Sequence, residues 1–368
     1  LSGRPARRLR ARCGKARRMK EEMTGPVKAV GLISGGLDST LAARVLMEQG
    51  IEVHGLNYAT GFCSNDQRRA VERPGEAPHR LRNEALRAGA DLGIEVEIVP
   101  VEKEFFRIVT QPKFGHGANM NPCIDCRIFM LKKARARMDA LGARFVFTGE
   151  VLGQRPMSQH LSALHTIERE AGLEGLLLRP LSARHLPETV PEKRGWVDRA
   201  RLLAISGRSR RGQMALAEIL GIGEFPQPSG GCCSLTDETF SRRLRDVLAH
   251  QAPFEPGTVD SVLLKVGRHF RVSHRVKVVV GRDEAENVFL ARHLGGKWWF
   301  EVADAGSPLV LVQGDPDANL RRFIAGITAR YSSRKGEGEV EVVASRDGTR
   351  EYFRVAPLTD DALEPHRI

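Results

Sequence analysis

The stretch Val27-Lys-Ala-Val-Gly-Leu-Ile-Ser34-Gly35-Gly36-Leu37-Asp38-Ser39-Thr40 constrains the fold more than any other part of the chain. An apolar run feeds a Ser-Gly-Gly turn and an amphipathic stretch follows at once, so the segment reads as strand, tight loop and helix N-terminus. The two glycines let the backbone approach a ligand closely, and Asp38 or Ser39 is expected to cap the helix. Exposed N–H groups at the positive end of the helix dipole make an anion site of phosphate size. No Gly-Lys-Ser/Thr follows and there is no GxGxxG, which excludes the Walker loop and the dinucleotide fingerprint.

Around this unit strands and helices alternate. Strands are expected at 27–33, 51–57, 94–101 and 143–148, and helices at 38–49, 78–92 and 122–141. That alternation predicts an α/β fold, a doubly wound parallel sheet whose ligands bind at the carboxyl ends of the strands. Further helical segments at 176–222 lead to a Pro/Gly-rich hinge at 224–231, then a helix at 237–249. From about 256 the pattern changes to short strands (261–266, 276–280, 298–302, 309–312), an amphipathic helix at 317–331 and strands near 339–344 and 350–355. This reads as a smaller α+β domain. The expected division is a basic leader at 1–25, a nucleotide-binding domain at 26–235, a helical linker at 236–255 and the second domain at 256–368.

The net charge of +12 is uneven: residues 1–20 hold nine Lys or Arg and no acid, leaving 48 basic and 45 acidic residues in the rest. Global charge therefore does not identify an RNA-binding protein, and the leader is expected to be a disordered tail or extension. No apolar run reaches the length of a membrane span and no secretory signal is visible, so the expectation is a cytoplasmic protein that does not engage membranes. Arg208, Arg210, Arg211, Arg242, Arg243 and Arg245 are candidates for nucleic-acid phosphates, though solvated helix faces more often explain such runs. Trp298 and Trp299 fall in a strand and must point to opposite faces.

Six cysteines are too few and too uneven for a secreted disulfide framework. Cys13 is in the leader, Cys63 in a loop, and the others fall as Cys123/Cys126 and Cys232/Cys233. Asn121-Pro122-Cys123 reads as a helix start, with Asn121 as cap and Pro122 at the first helical position. Cys123 and Cys126 then share one face of the opening turns, where the helix terminus favours thiolate. Three chemistries remain open. Three thiols with an open position suit an iron–sulfur cluster. Four ligands suit structural Zn²⁺, although adjacent Cys232 and Cys233 would chelate one ion under strain. A metal-free dithiol passing a persulfide is the third.

The Ser34–Ser39 wording resembles the PP-loop of ATP pyrophosphatases. The segment Thr148-Gly149-Glu150-Val151-Leu152-Gly153-Gln154, followed by Ser158-Gln159, resembles the TGE-x-LGQ…SQ motif of the ThiI family of tRNA 4-thiouridine synthetases. Cys126-Arg127-x-x-Met130 and Arg179-Pro180-Leu181 extend that resemblance, and Cys232-Cys233 stands where the family carries reactive cysteine. It runs in order from about 27 to 235, with an insertion near 182–200. The CxxC-plus-Cys arrangement also resembles tRNA 2-thiouridylases with a three-cysteine [4Fe–4S] cluster. Counterparts of the family's THUMP-bearing region and rhodanese tail are not expected within these 368 residues. The 256–368 module resembles small RNA-binding domains, its most distinctive phrase being the segment 281–287.

The resemblance implies ATP-dependent thiolation of a tRNA uridine: the carbonyl oxygen is adenylated, pyrophosphate leaves, and sulfur replaces the oxygen. It implies ATP contacts from Leu32, Ile33, Ser34, Gly35, Gly36, Asp38, Ser39, Asn57, Tyr58, Arg127, Gly149 and Gln159, with Asp38 holding Mg²⁺ or the α-phosphate. Cys123, Cys126 and Cys232, with Cys233 as the alternative third thiol, would carry the sulfur step or ligate the cluster. The implied partners are tRNA and a sulfur donor, either cysteine desulfurase or inorganic sulfide, and a homodimer is compatible. Two other readings compete. One is a PP-loop pyrophosphatase acting on a small molecule, in amidotransferase-like or thiamine-pathway chemistry. The other is a nucleotide- and RNA-binding protein without catalysis.

Overall fold

The computed structural model describes residues 25–64, 70–71, 83–226, 233–250 and 252–368. The basic leader with Cys13, and Cys232, lie outside the described residues. By its internal contacts the chain divides into two units. The first comprises Leu1–Tyr58, Asn83–Val99 and Cys123–Gln227; the second comprises Ala59–Arg82, Pro100–Pro122 and Pro228–Ile368.

The first unit is built on a five-stranded sheet of β1 (Lys28–Leu32), β2 (Glu52–Ala59), β3 (Val96–Pro100), β4 (Phe145–Thr148) and β5 (Leu177–Leu178), in the order β3-β2-β1-β4-β5. The pairs β1–β2, β1–β4 and β4–β5 are parallel, as the alternation of elements predicts. Side chains of a strand alternate between faces. Ala29 and Ile33 join Leu37, Leu41, Val45, Phe145 and Phe147 in one fully apolar cluster, together with Ala88 and Leu178. The helix Cys123–Ala140 buries Ile128, Leu131, Ala134 and Met138, none of which belongs to that cluster, so it covers the opposite face. A Cβ on Gly31 would lie 2.2 Å from the Phe147 ring, so the bare backbone of β1 is what lets the ring cross it. Between β2 and β3, the helix Glu84–Leu92 is capped by Asn83, whose side chain accepts from the N–H groups of Ala85 and Leu86 at 2.9 and 3.2 Å. The helix expected from residue 78 thus has its start signal at 83; residues 72–82 lie outside the described residues.

The second unit carries a six-stranded antiparallel sheet. Its strands are β6 (Arg268–Ser273), β7 (Val276–Val280), β8 (Trp299–Val302), β9 (Val310–Gln313), β10 (Val340–Arg346) and β11 (Thr349–Val355), in the order β11-β10-β8-β9-β7-β6. One face packs on the helix Ala318–Tyr331 through Ile324 and Ile327, and Trp298 belongs to that cluster. The other face meets the helices Val259–Leu263 and Glu284–Ala291, and Trp299 packs there. The two tryptophans do point to opposite faces, both against protein, and Arg321 stacks on the Trp298 ring at 4.9 Å. The strand expected at 261–266 is instead helix and turn. Thr258 accepts from the Asp260 N–H and Asp260 sits in the first turn, so local capping outweighs the apolar run Val262-Leu-Leu. The hydrogen-bonded strand begins only at Arg268. Among the described residues no helix is long and apolar enough to cross a membrane.

Candidate active site

Strands β1 and β4 end level, with Leu32 opposite Thr148 and Leu56, while β2 runs on to Ala59. The strand order reverses between β1 and β4, which makes the carboxyl edge there a switch point where ligands bind in such sheets. Three segments meet at it: residues 33–36 after β1, Asn57 and Tyr58 at the end of β2, and residues 149–160 after β4.

The loop is held in one shape. Gly35 has φ +76°, and a Cβ there would fall 2.2 Å from the Glu84 carbonyl carbon, so both backbone and space demand glycine. Buried Arg87 fixes the same turn, donating to the Gly35 carbonyl at 3.2 Å while Glu84 and Asp91 hold its guanidinium. Asn57 Nδ2 donates to the Ile33 carbonyl at 2.8 Å, tying β2 to the loop. The N-cap of helix Leu37–Met47 is Gly36, with no side-chain cap, which corrects the expectation that Asp38 or Ser39 plays that part. Ser39 instead turns back: its hydroxyl donates to the Gly36 carbonyl at 2.9 Å and accepts from the Ser34 N–H at 3.2 Å. Gly149 closes the site from β4. A Cβ on it would sit 2.5 Å from the backbone of Asp38 and Ser39.

Asp38 is left facing this edge. Gln154 Nε2 donates to its Oδ2 at 3.0 Å, and Arg210 Nη2 stands 3.9 Å from Oδ1. Among the described residues Oδ1 itself is buried with no hydrogen-bond partner, as are Gln154 Oε1, Gln159 Oε1, the Tyr58 hydroxyl and Arg210 Nε. Buried polar atoms are ordinarily satisfied, so this concentration at a switch point suits the edge to a polar ligand. An orphaned carboxylate oxygen beside a glycine loop suits a hard cation and phosphate. Burial, and secondarily the charge of Glu97, pushes the Tyr58 phenol above its ordinary range and keeps it a hydrogen-bond donor.

The site is braced from behind by Glu150, which is 2% exposed. Arg179 Nε donates to its Oε2 at 3.1 Å, Thr148 Oγ1 does the same at 3.1 Å, and Arg127 Nε lies 3.5 Å from Oε1. Burial alone would raise its pKa; the Arg179 and Arg127 charges and the hydrogen bonds outweigh that and hold the carboxyl below the ordinary value. Through Arg127, Glu150 also anchors the start of the helix Cys123–Ala140. This helix begins after Pro122, and Asn121 Oδ1 accepts no hydrogen bond, so the expected cap is not made. Cys123 and Cys126, both half-buried, therefore stand in the opening turn of a helix pinned to Glu150, the neighbour of Gly149.

Cys232 lies outside the described residues. Cys233 belongs to the second unit, where it forms an antiparallel bridge with Cys63. Among the described residues no group of three His, Cys, Asp or Glu side chains is arranged to hold a metal. The arginine candidates separate. Arg208, Arg211, Arg242 and Arg245 are exposed. Arg210 faces Asp38 rather than solvent. Arg243 is buried, donating to the carbonyls of Leu264 and Gly267 at 2.7 and 2.9 Å, and burial pulls its pKa down to about 10. Sequence reasoning gave no role to Arg87, Gln154 or Glu150. The spacing Glu84, Arg87, Asp91 on one helix face was the available signal for the first.

Residues 25–186 match the family model for the thiamine biosynthesis protein ThiI, and residues 267–367 match that for the NFACT protein RNA binding domain. The tRNA-specific 2-thiouridylase MnmA of Syntrophotalea carbinolica is 33% identical over 121 residues, 32% of this chain and 32% of that protein. The corresponding protein of Roseiflexus sp. is 28% identical over 255 residues, 66% of each. The chain thus spans about a third of the first of these relatives and about two thirds of the second. A solved 4-thiouridine synthetase–RNA complex with bound ATP superposes with a TM-score of 0.35 and 16% identity, covering 64% of this chain and 45% of that one. Residues 25–186 are thus similar to ThiI, part of the chain is similar to the 2-thiouridylases, and residues 267–367 are similar to the NFACT RNA-binding domain.

Proposed function

We propose that this protein is an ATP-dependent tRNA thiolation enzyme that adenylates a uridine carbonyl oxygen, releases pyrophosphate and replaces the oxygen with sulfur. The observation that carries the reading is the orphaned Asp38 Oδ1 beside a glycine loop and helix N-terminus at the sheet's switch point. A uracil oxygen is a poor leaving group, and its transfer to AMP makes it a good one. The Ser34–Ser39 loop and helix N-terminus would receive the phosphates, Asp38 would hold Mg²⁺, and Arg210 would face the charge that develops on pyrophosphate. Bound Mg²⁺ supplies charge neutralisation to the triphosphate. Leu32 and Ile33 would form the floor of the nucleotide site, with Asn57, Tyr58, Gly149 and Gln159 around the adenosine.

For the sulfur step we assign Cys123 and Cys126, with Cys232 as third thiol and Cys233 as its alternative. Cys123 and Cys126 would be two ligands of a [4Fe–4S] cluster, which would supply a site for sulfide. The exposed arginines and the 267–367 stretch would hold tRNA, with sulfur from cysteine desulfurase or inorganic sulfide, in the cytoplasm. We retain 26–235 as the span of ATP binding and thiolation. The test is nucleoside mass spectrometry of tRNA incubated with protein, MgATP and sulfide. A thiouridine dependent on ATP and on Asp38 supports the reading; AMP release without tRNA, and no thiouridine, leaves the small-molecule pyrophosphatase.

A further inference from the structure

Cys63 and Cys233 lie 170 positions apart in the sequence yet stand directly opposite each other in an antiparallel bridge within the second unit. The Ser234 N–H donates to the Phe62 carbonyl at 2.9 Å, one residue beyond the bridge on each side. That pattern marks a non-hydrogen-bonded pair, in which opposed Cα atoms approach to about 4.5 Å and side chains lie closest. Disulfides span Cα separations of roughly 4.4–6.8 Å, so the backbone holds the two thiols where a bond can close with little movement.

The surroundings keep that register. Phe62 is fully buried among Phe105, Phe106, Phe240 and Phe254. On the other strand the buried Leu235 carbonyl accepts from the Met120 N–H and from Ser241 Oγ, and the Thr236 carbonyl accepts from Asn119. Both cysteines are half-buried, so a small reagent reaches them. We infer that Cys63 and Cys233 form a reversible dithiol–disulfide site that reacts with low-molecular-weight disulfides. In the first step the Cys233 thiolate attacks the reagent's sulfur–sulfur bond, forming a mixed disulfide and expelling one thiolate. In the second, the Cys63 thiolate attacks Cys233 Sγ, closing the cross-strand bond and expelling the second thiolate. Two protein thiols are oxidised and one reagent disulfide is reduced to two thiols. The closed form withdraws Cys233 from sulfur chemistry, which gives the protein a redox setting independent of its nucleotide site.

The test uses the full chain equilibrated with mixtures of reduced and oxidised glutathione, acid-quenched, alkylated and mapped by peptide mass spectrometry. Wild type should yield a peptide pair linked through Cys63 and Cys233. Cys63→Ser should carry glutathione on Cys233 and need about tenfold more oxidised glutathione for half-oxidation, because the second thiol acts at high effective concentration. A Cys233 linked to Cys232 or Cys123, or a Cys63 still fully alkylated when Cys233 is oxidised, would overturn the inference. The mapping on wild type needs neither a folded variant nor ATP or tRNA, so its outcome is separate from that of the thiolation assay.

Discussion

Gln154 Nε2 donates to Asp38 Oδ2 at 3.0 Å, which fixes the carboxylate and aims its other oxygen, buried and without a hydrogen-bond partner, at the carboxyl edge of the sheet. Because Asp38 makes no cap to its own helix, its removal should cost chemistry and not folding. Asp38→Ala is expected to lower ATP–pyrophosphate exchange by about 100-fold or more, with a melting temperature within a degree or two of wild type. Parallel exchange assays and thermal melts check both halves.

Three glycines of the site should behave differently. Gly149→Ala would push a methyl into the Asp38 and Ser39 backbone, and a displacement near 1 Å costs about 100-fold in turnover. Gly35→Ala adds a disfavoured φ to a clash with Glu84 and should be the worst. A Cβ on Gly36 meets Ser34 Oγ only at 3.4 Å, so Gly36→Ala should keep most activity. Kinetics of the three alanine variants give the ranking directly.

Glu150 is a depressed carboxylate in a buried ion pair with Arg179. Its contribution is complete above the ordinary carboxylate range and is lost as pH falls through the lower, folded-state value. Glu150→Gln removes the more buried of the two carboxylates paired with Arg179, leaving Glu168, and should cost about 2 kcal/mol at neutral pH. The gap between wild type and variant should shrink in strongly acidic urea titrations; a gap that grows as pH falls would contradict the assignment.

Lys277, 2% exposed, has its pKa pulled down to about 8, chiefly by burial and against the pull of Asp246 3.8 Å away. A base whose folded pKa is lowered binds fewer protons folded than unfolded, so stability rises as pH climbs from 8 toward the unfolded value of 10.5. Lys277→Met should be neutral or stabilising at pH 7 and should remove a rise on the order of 1–3 kcal/mol over that window. Denaturation of both proteins from pH 7 to pH 10 measures it.

The arginines of the helix Glu238–Ala249 make a paired forecast. Arg243→Ala removes two buried hydrogen bonds to carbonyls and should lower stability by about 2–3 kcal/mol. Arg242→Ala and Arg245→Ala should leave stability within about 0.5 kcal/mol. Binding of tRNA at several salt concentrations then tells whether the exposed pair contacts phosphate.

Much of the first unit was legible because its signals are local. The apolar runs at 27–33 and 143–148 and the Ser-Gly-Gly turn announce strand, loop and helix whatever the rest of the chain does. The run at 261–266 misled because Val262-Leu-Leu suits strand and buried helix equally, and Thr258 with Asp260 decided between them. Arg210 and Arg243 read alike as surface charge. Only tertiary packing sends one to Asp38 and the other under the turn at Leu264 and Gly267. The pairing of Cys63 with Cys233 had no sequence signal, since a bridge between distant segments depends on the fold that joins them.

The central claim is that the uridine oxygen itself leaves on AMP. It is tested most directly with tRNA carrying ¹⁸O at the uracil carbonyls, incubated with protein, MgATP and sulfide, and analysed for label in the released AMP. The account predicts ¹⁸O-labelled AMP in step with new thiouridine, and neither with Asp38→Ala. Unlabelled AMP released while thiouridine accumulates would contradict it.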